Sequence, residues 1–155
     1  MLKKEVTIYT DGSCNTQHQL GAWVAILIAD NEKTVLSGHA VNTTNNRMEL
    51  TAVVEALKYL HNNYDPGTLI TIVSDSQYVV GLADRRERLT SSDFNTKKNT
   101  RITNADLVKE LFKQETGLTI LFEKIKAHQK QGSIINYNIE ADKLSRKMVR
   151  ELVNE

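Results

Sequence analysis

The chain has 155 residues, a formal net charge of +1, 40 % hydrophobic and 25 % charged residues, which is the composition of one globular domain with a sizeable core. Its single cysteine, Cys14, excludes an internal disulfide and a cysteine zinc cluster, and fits a reducing, cytoplasmic setting. No apolar run approaches the ~20 residues of a membrane span, and near-neutral charge leaves nucleic-acid binding to local clustering alone.

Val6, Ile8 and Thr10 alternate with Thr7, Tyr9 and Asp11. This β-branched, period-2 run predicts a central strand over Val6–Cys14, ending in an Asp11-Gly12-Ser13 turn. An apolar run over Leu20–Ala29 and a third run over Thr34–Thr43 complete an antiparallel meander. The period then changes. Leu50, Val53, Val54, Leu57 and Leu60 stand at helical spacing behind Asn46, a candidate N-cap with Glu49 as its capping-box partner. The helix stops before Asp65-Pro66-Gly67.

Leu69–Ser74 is a short continuous apolar run, the mark of a buried parallel strand, and Asp75 follows it at once. Ser76–Leu82 begins a short helix. Asp84–Arg101 reads as polar and almost without apolar residues, with a surplus of Arg and Lys. Asn104–Glu115 is an amphipathic helix and Leu118–Ile125 a fifth strand; a polar loop leads to a last helix over Ile139–Val153. The whole, 1–155, reads as one α/β domain: a mixed five-stranded sheet, three antiparallel strands then parallel ones, with helices packed on it.

Asp11 and Asp75 stand at strand ends, Glu49 in the first turns of a helix, and Asp142 at the opening of the last helix. Singly, each has a plain structural reading. Asp-Gly is a turn signal, Glu49 a cap partner, and acids at helix N-termini suit the dipole. Together they form a set that such readings do not cover, because Asp11 precedes no helix. Converging carboxylates repel one another, and hard divalent cations relieve that repulsion through all-oxygen ligation, which suits Mg²⁺ or Mn²⁺. Two such ions ~4 Å apart can clamp the attacking and leaving oxygens of a phosphodiester.

Asp11-Gly12-Ser13-Cys14, Thr43-Thr44-Asn45-Asn46-Arg47-Met48-Glu49-Leu50, Ser74-Asp75-Ser76-Gln77-Tyr78-Val79, Lys126-Ala127-His128 and Ala141-Asp142 follow one another in order. In this the chain resembles type 1 ribonuclease H over nearly its whole length. The resemblance implies a ribonuclease H fold and an endonuclease that cuts the RNA strand of an RNA–DNA hybrid, leaving 5′-phosphate and 3′-hydroxyl ends. It implies Asp11, Glu49, Asp75 and Asp142 as catalytic acids holding two Mg²⁺ ions, with Mn²⁺ able to substitute, and His128 as a loop histidine assisting proton transfer or product release. It also implies Cys14, Asn46 and Gln77 as minor-groove contacts, able to sense the 2′-hydroxyl that tells RNA from DNA. Thr44 and Asn104 match the pocket for a DNA-strand phosphate. Met1 opening directly on the first strand favours a free-standing monomer.

The chain departs from the family pattern in three places. The loop after Cys14 has one glycine, the basic stretch over Asp84–Arg101 has no tryptophan, and the segment from His128 to Asp142 is long. We expect the basic stretch to be a shortened or more mobile handle for the hybrid. His39 and His61 have no partner pattern and read as structural. Two competing readings share the fold: an integrase- or resolvase-like nuclease, and a hybrid-binding module with weak or no catalysis.

Overall fold

The computed structural model describes residues 5–126 and 136–155. One sheet runs in the order β3 (Glu32–Val41), β2 (Leu20–Ala29), β1 (Glu5–Asn15), β4 (Leu69–Ser74), β5 (Thr119–Lys124). The first three strands pair antiparallel; β1–β4 and β4–β5 pair parallel. This is the expected sheet, with β1 at its centre.

The helices α1 (Asn45–Asn63), α2 (Gln77–Ser91) and α3 (Ala105–Glu115) cover one face, and α4 (Tyr137–Val153) covers the other. Alternation along the strands builds both cores. Val6, Ile8, Ala25 and Leu27 face the three-helix side with Leu50, Leu57, Val108 and Leu111. Val24, Ile26 and Tyr9 face α4 and pack on Ala141, Leu144 and Met148.

Four expectations need correction. Asp11-Gly12 is not a turn. β1 runs through it to Asn15, because β2 continues the antiparallel ladder past it, pairing Asp11 with Val24 and Gly12 with Trp23. Asp11 lies instead just past the end of the parallel pairing with β4, whose last step is Tyr9 with Val73.

Asn46 is not the cap of α1. Thr44 is, its hydroxyl accepting the Arg47 N–H at 3.2 Å, so Glu49 is not a capping-box partner and its carboxyl serves elsewhere. Asp142 does not open the last helix. α4 begins at Tyr137, which puts Asp142 in its second turn, beyond the unpaired N–H groups that make a cap.

The helix after Asp75 is not short. α2 continues to Ser91, and Leu89 is buried in the main core with Phe94 and Ile102 packed against it. Beyond the helix a small hairpin closes through the Asn95–Arg101 bridge and a Thr96 N–H to Thr100 carbonyl bond of 2.7 Å. Lys97 and Lys98 sit at its tip. Arg86 points back into the body, pairing with Glu115, donating to the Phe112 carbonyl at 3.2 Å and lying over the Phe112 ring. His61 is structural as expected, its ring nitrogen bonding the Gln114 carbonyl at 2.7 Å.

Candidate active site

The site forms where β1 outruns β4. Side chains alternate along β1, so Asp11 shares the face of Tyr9, the one covered by α4. Asp142, on α4, meets it there. Gly12 has the opposite direction and lets α1 come down onto the strand. A Cβ at Gly12 would fall on the Glu49 nitrogen and lie 2.8 Å from Met48 Cβ. A Cβ at Gly21, on the neighbouring strand, would lie 2.6 Å from Thr43 Cγ2 and 2.7 Å from Met48 Cγ. Two missing side chains thus seat the first turn of α1 against the sheet and bring Glu49 beside Asp11.

Asp75 is placed by a Ser-Asp-Ser corner. The Ser74 hydroxyl accepts the Ser76 N–H at 3.0 Å, and the Ser76 hydroxyl caps α2 by accepting the Val79 N–H at 3.2 Å. The main chain on both sides of Asp75 is therefore held, and the carboxylate stands at the carboxyl end of a central parallel strand, where α/β sheets bind ligands.

Single carboxylate oxygens of Asp11, Glu49 and Asp75 all lie within 4.8 Å of one another. These three and Asp142 line a cavity of about 310 Å³ with Gly12, Ser13, Asn45, Ser76 and Arg146. Asp11 is 4 % exposed. Its carboxyl is pushed up to about 8, first by burial, then by the charges of Asp75 and Asp142 and a hydrogen bond with Asp142; the Gly12 N–H pulls the other way. Burial raises Glu49 to about 9, and the charges of Asp11, Asp75 and Asp142 add to it. Glu49 Oε2 is buried with no hydrogen-bond partner among the described residues. Arg146 Nε donates to Asp142 Oδ1 at 2.9 Å.

Among the described residues, none of the other expected ones lines this cavity. Cys14, half-buried, donates its thiol to the Thr43 carbonyl at 3.4 Å. Asn46 and Gln77 are exposed. Asn104 bonds Arg47 and Tyr78. His128 lies outside the described residues. Ser13, Asn45, Ser76 and Arg146 line the cavity and were given no role from sequence. For Arg146 the signal was present: it stands four residues after Asp142, on the same face of a helix.

The ribonuclease H profile matches residues 3–150. The chain belongs to the ribonuclease H family. The ribonuclease H of Caldicellulosiruptor saccharolyticus is 36 % identical over 151 residues, spanning 96 % of this chain and 99 % of that one. That of Ehrlichia ruminantium is 40 % identical over 147 residues, covering 94 % of each. A solved structure titled LC9-RNase H1, a type 1 RNase H with the type 2 active-site motif, superposes with a TM-score of 0.77 at 20 % identity, covering 97 % of this chain and 74 % of that one. That likeness shows the same fold. A ribonuclease H is a hydrolase, an endonuclease acting on RNA–DNA hybrids, and the acid cluster lies in such an enzyme.

Proposed function

We propose that Asp11, Glu49, Asp75 and Asp142 hold two Mg²⁺ ions, or Mn²⁺ in their place, and that this site cuts the RNA strand to leave 5′-phosphate and 3′-hydroxyl ends. The observation that carries it is the convergence of the Asp11, Glu49 and Asp75 carboxylates within 4.8 Å, together with a buried Glu49 Oε2 that has no hydrogen-bond partner among the described residues. Buried polar atoms are rarely left without a partner, and an all-carboxylate donor set suits a hard divalent cation. The residues present therefore fit the ion. When bound, divalent cations supply charge neutralisation and activation of water towards phosphorus.

The chain's own groups do the rest. Asp11, Asp75 and Glu49 are fixed by β1, the Ser74–Ser76 corner and the close seat of α1, so the donor set is in place before any ligand arrives. Further groups are assigned to the hybrid. The Thr44 hydroxyl accepts from Arg47, and its own O–H remains a donor for a phosphate oxygen. Asn104, held by Arg47 and Tyr78, is assigned to the same phosphate. Cys14, Asn46 and Gln77 are assigned to the minor groove, and His128 to proton transfer or product release.

The test is the chemistry of the ends. RNA fragments from a digested hybrid should be substrates for a ligase that requires a 5′-phosphate and a 3′-hydroxyl, without prior enzymatic treatment. Fragments with 2′,3′-cyclic phosphates would show attack by the ribose hydroxyl and overturn the reading.

A further inference from the structure

Arg47 has no role in the reading above, yet its guanidinium ties together the starts of three helices. One amino group donates to Asp106 Oδ1 at 3.0 Å and Asn104 Oδ1 at 3.2 Å, the other to Asp106 Oδ2 at 2.9 Å. Asn104 in turn donates from its amide nitrogen to the Tyr78 hydroxyl at 3.3 Å. Arg47 lies in the first turn of α1, Asp106 in that of α3 and Tyr78 in that of α2. The same three starts carry Glu49, Asn104 and the chain leaving Asp75.

Asn104 shows what the contact does. It precedes α3 in left-handed backbone, φ 62° and ψ 27°, and its side chain caps nothing. An asparagine before a helix ordinarily turns its oxygen onto the helix's own free N–H groups. Here the Asn104 amide is held between Arg47 and Tyr78 instead, and the Arg47 guanidinium, with the nearby backbone N–H groups, holds the Asp106 carboxyl low, at about 2. The Asp106 side chain is 67 % exposed, and exposed ion pairs contribute little stability. What a two-pronged guanidinium–carboxylate contact adds is direction: it fixes the guanidinium plane, and with it the amide that the same nitrogen holds.

We propose that Arg47 is a positioning residue. It holds the Asn104 amide at a set offset from Glu49, two residues along α1, so that α3's contact with a backbone phosphate of the hybrid is in register with the acid cluster. This rests on the assignment of Asn104 to that phosphate.

The test is hybrid cleavage by Arg47→Lys, Asp106→Asn, Asn104→Ala and the double variant Arg47→Lys/Asn104→Ala, with KM and kcat separated. Each single change should raise KM about tenfold, with kcat falling less than about threefold, the mark of lost uniform binding. Lysine should not rescue, because it lacks the planar fork. The double variant should be no worse than Asn104→Ala, since the two residues act as a unit. Asp106→Asn leaves both partners in place and breaks only the fork, so it tests the idea where larger changes disturb the fold. Wild-type kinetics for Arg47→Lys would show that a positive charge suffices, and multiplying effects would show that Arg47 acts apart from Asn104; either overturns the proposal. An unchanged KM for Asn104→Ala would also overturn it, and would place the error in the phosphate assignment while leaving the acid cluster untouched.

Discussion

Gly12 and Glu49 meet backbone to backbone: a Cβ on Gly12 would fall on the Glu49 nitrogen and the Met48 carbonyl carbon. Gly12 belongs to the strand that carries Asp11, and Glu49 to the helix laid against it. The spacing of two acids is thus set by a residue with no chemistry of its own. Gly12→Ala must push α1 off the strand. It should cost about 1–3 kcal/mol of stability, as overpacking does. A displacement of about 1 Å can cost of order a hundredfold in rate, so cleavage should fall on that scale. A thermal melt and a single-turnover assay check both, and a variant that loses stability without losing rate would separate the glycine from the site.

Asp11→Asn should nearly abolish cleavage and leave the fold intact. Asp11 is the most buried of the four acids, and its ionisation is opposed by Asp75 and Asp142. Above about pH 8, where the wild-type carboxyl is ionised, removing that charge relieves repulsion, so the melting temperature in EDTA should hold or rise. A metal-free melt of variant against wild type decides this. A clear fall in melting temperature would mean the carboxylate is held by favourable contacts.

The pH dependence follows from the same groups. Asp11 and Glu49 titrate near 4 in the unfolded chain and at about 8 and about 9 when folded without metal. Between those values the folded state holds protons that the unfolded state has released, so stability falls as pH rises. The stabilisation is complete below about pH 4 and is lost as pH passes through the folded values. Melting temperature in EDTA should therefore decline from pH 5 to 9. Saturating Mg²⁺, binding only the folded chain, should flatten the decline and raise the melting temperature most at high pH. Parallel pH curves with and without the ion would contradict the ligand assignment.

The mixed five-stranded sheet, and the convergence of Asp11, Glu49, Asp75 and Asp142 on one cavity, were legible because they rest on long periodic runs and specific blocks. What was not legible depended on partners distant in sequence. Asp11-Gly12 has turn chemistry locally, and only the ladder to Val24 and Trp23 keeps it extended. Thr44, Asn45 and Asn46 are all competent caps, and the path of the chain leaving β3 chose Thr44. Leu82 and Leu89 stand two helical turns apart, which was the available sign that α2 continues through the charged stretch. Nothing local distinguished Arg86 from Arg85 or Arg88, since its partners Glu115 and Phe112 lie on another helix.

That distinction sharpens the expectation that the basic stretch is a handle for the hybrid. Arg85, Arg88 and Lys97 line a pocket of about 270 Å³ with Leu89, Asn95 and Thr96. Replacing these three cations by alanine should raise KM and flatten the salt dependence of hybrid binding, by roughly one unit or slightly less per lost phosphate contact. Arg86→Ala should leave the salt slope alone and cost about 1–3 kcal/mol of stability, because it strands the buried Glu115. Binding isotherms over a range of salt, with melts alongside, check the pair. An unchanged slope in the triple variant would make the stretch a solvated surface.

The central claim is that Asp11, Glu49, Asp75 and Asp142 form the cation site that cuts RNA in a hybrid. Its most direct test is single-turnover cleavage of an end-labelled RNA–DNA hybrid across a Mg²⁺ titration, by wild type and by the Asn or Gln variant of each acid. Wild type should cut only the RNA strand and stop on addition of EDTA, and each variant should lose at least about a hundredfold in rate, consistent with loss of transition-state electrostatic stabilisation. Cleavage that persists in EDTA, or acid variants within tenfold of wild type, would contradict the account.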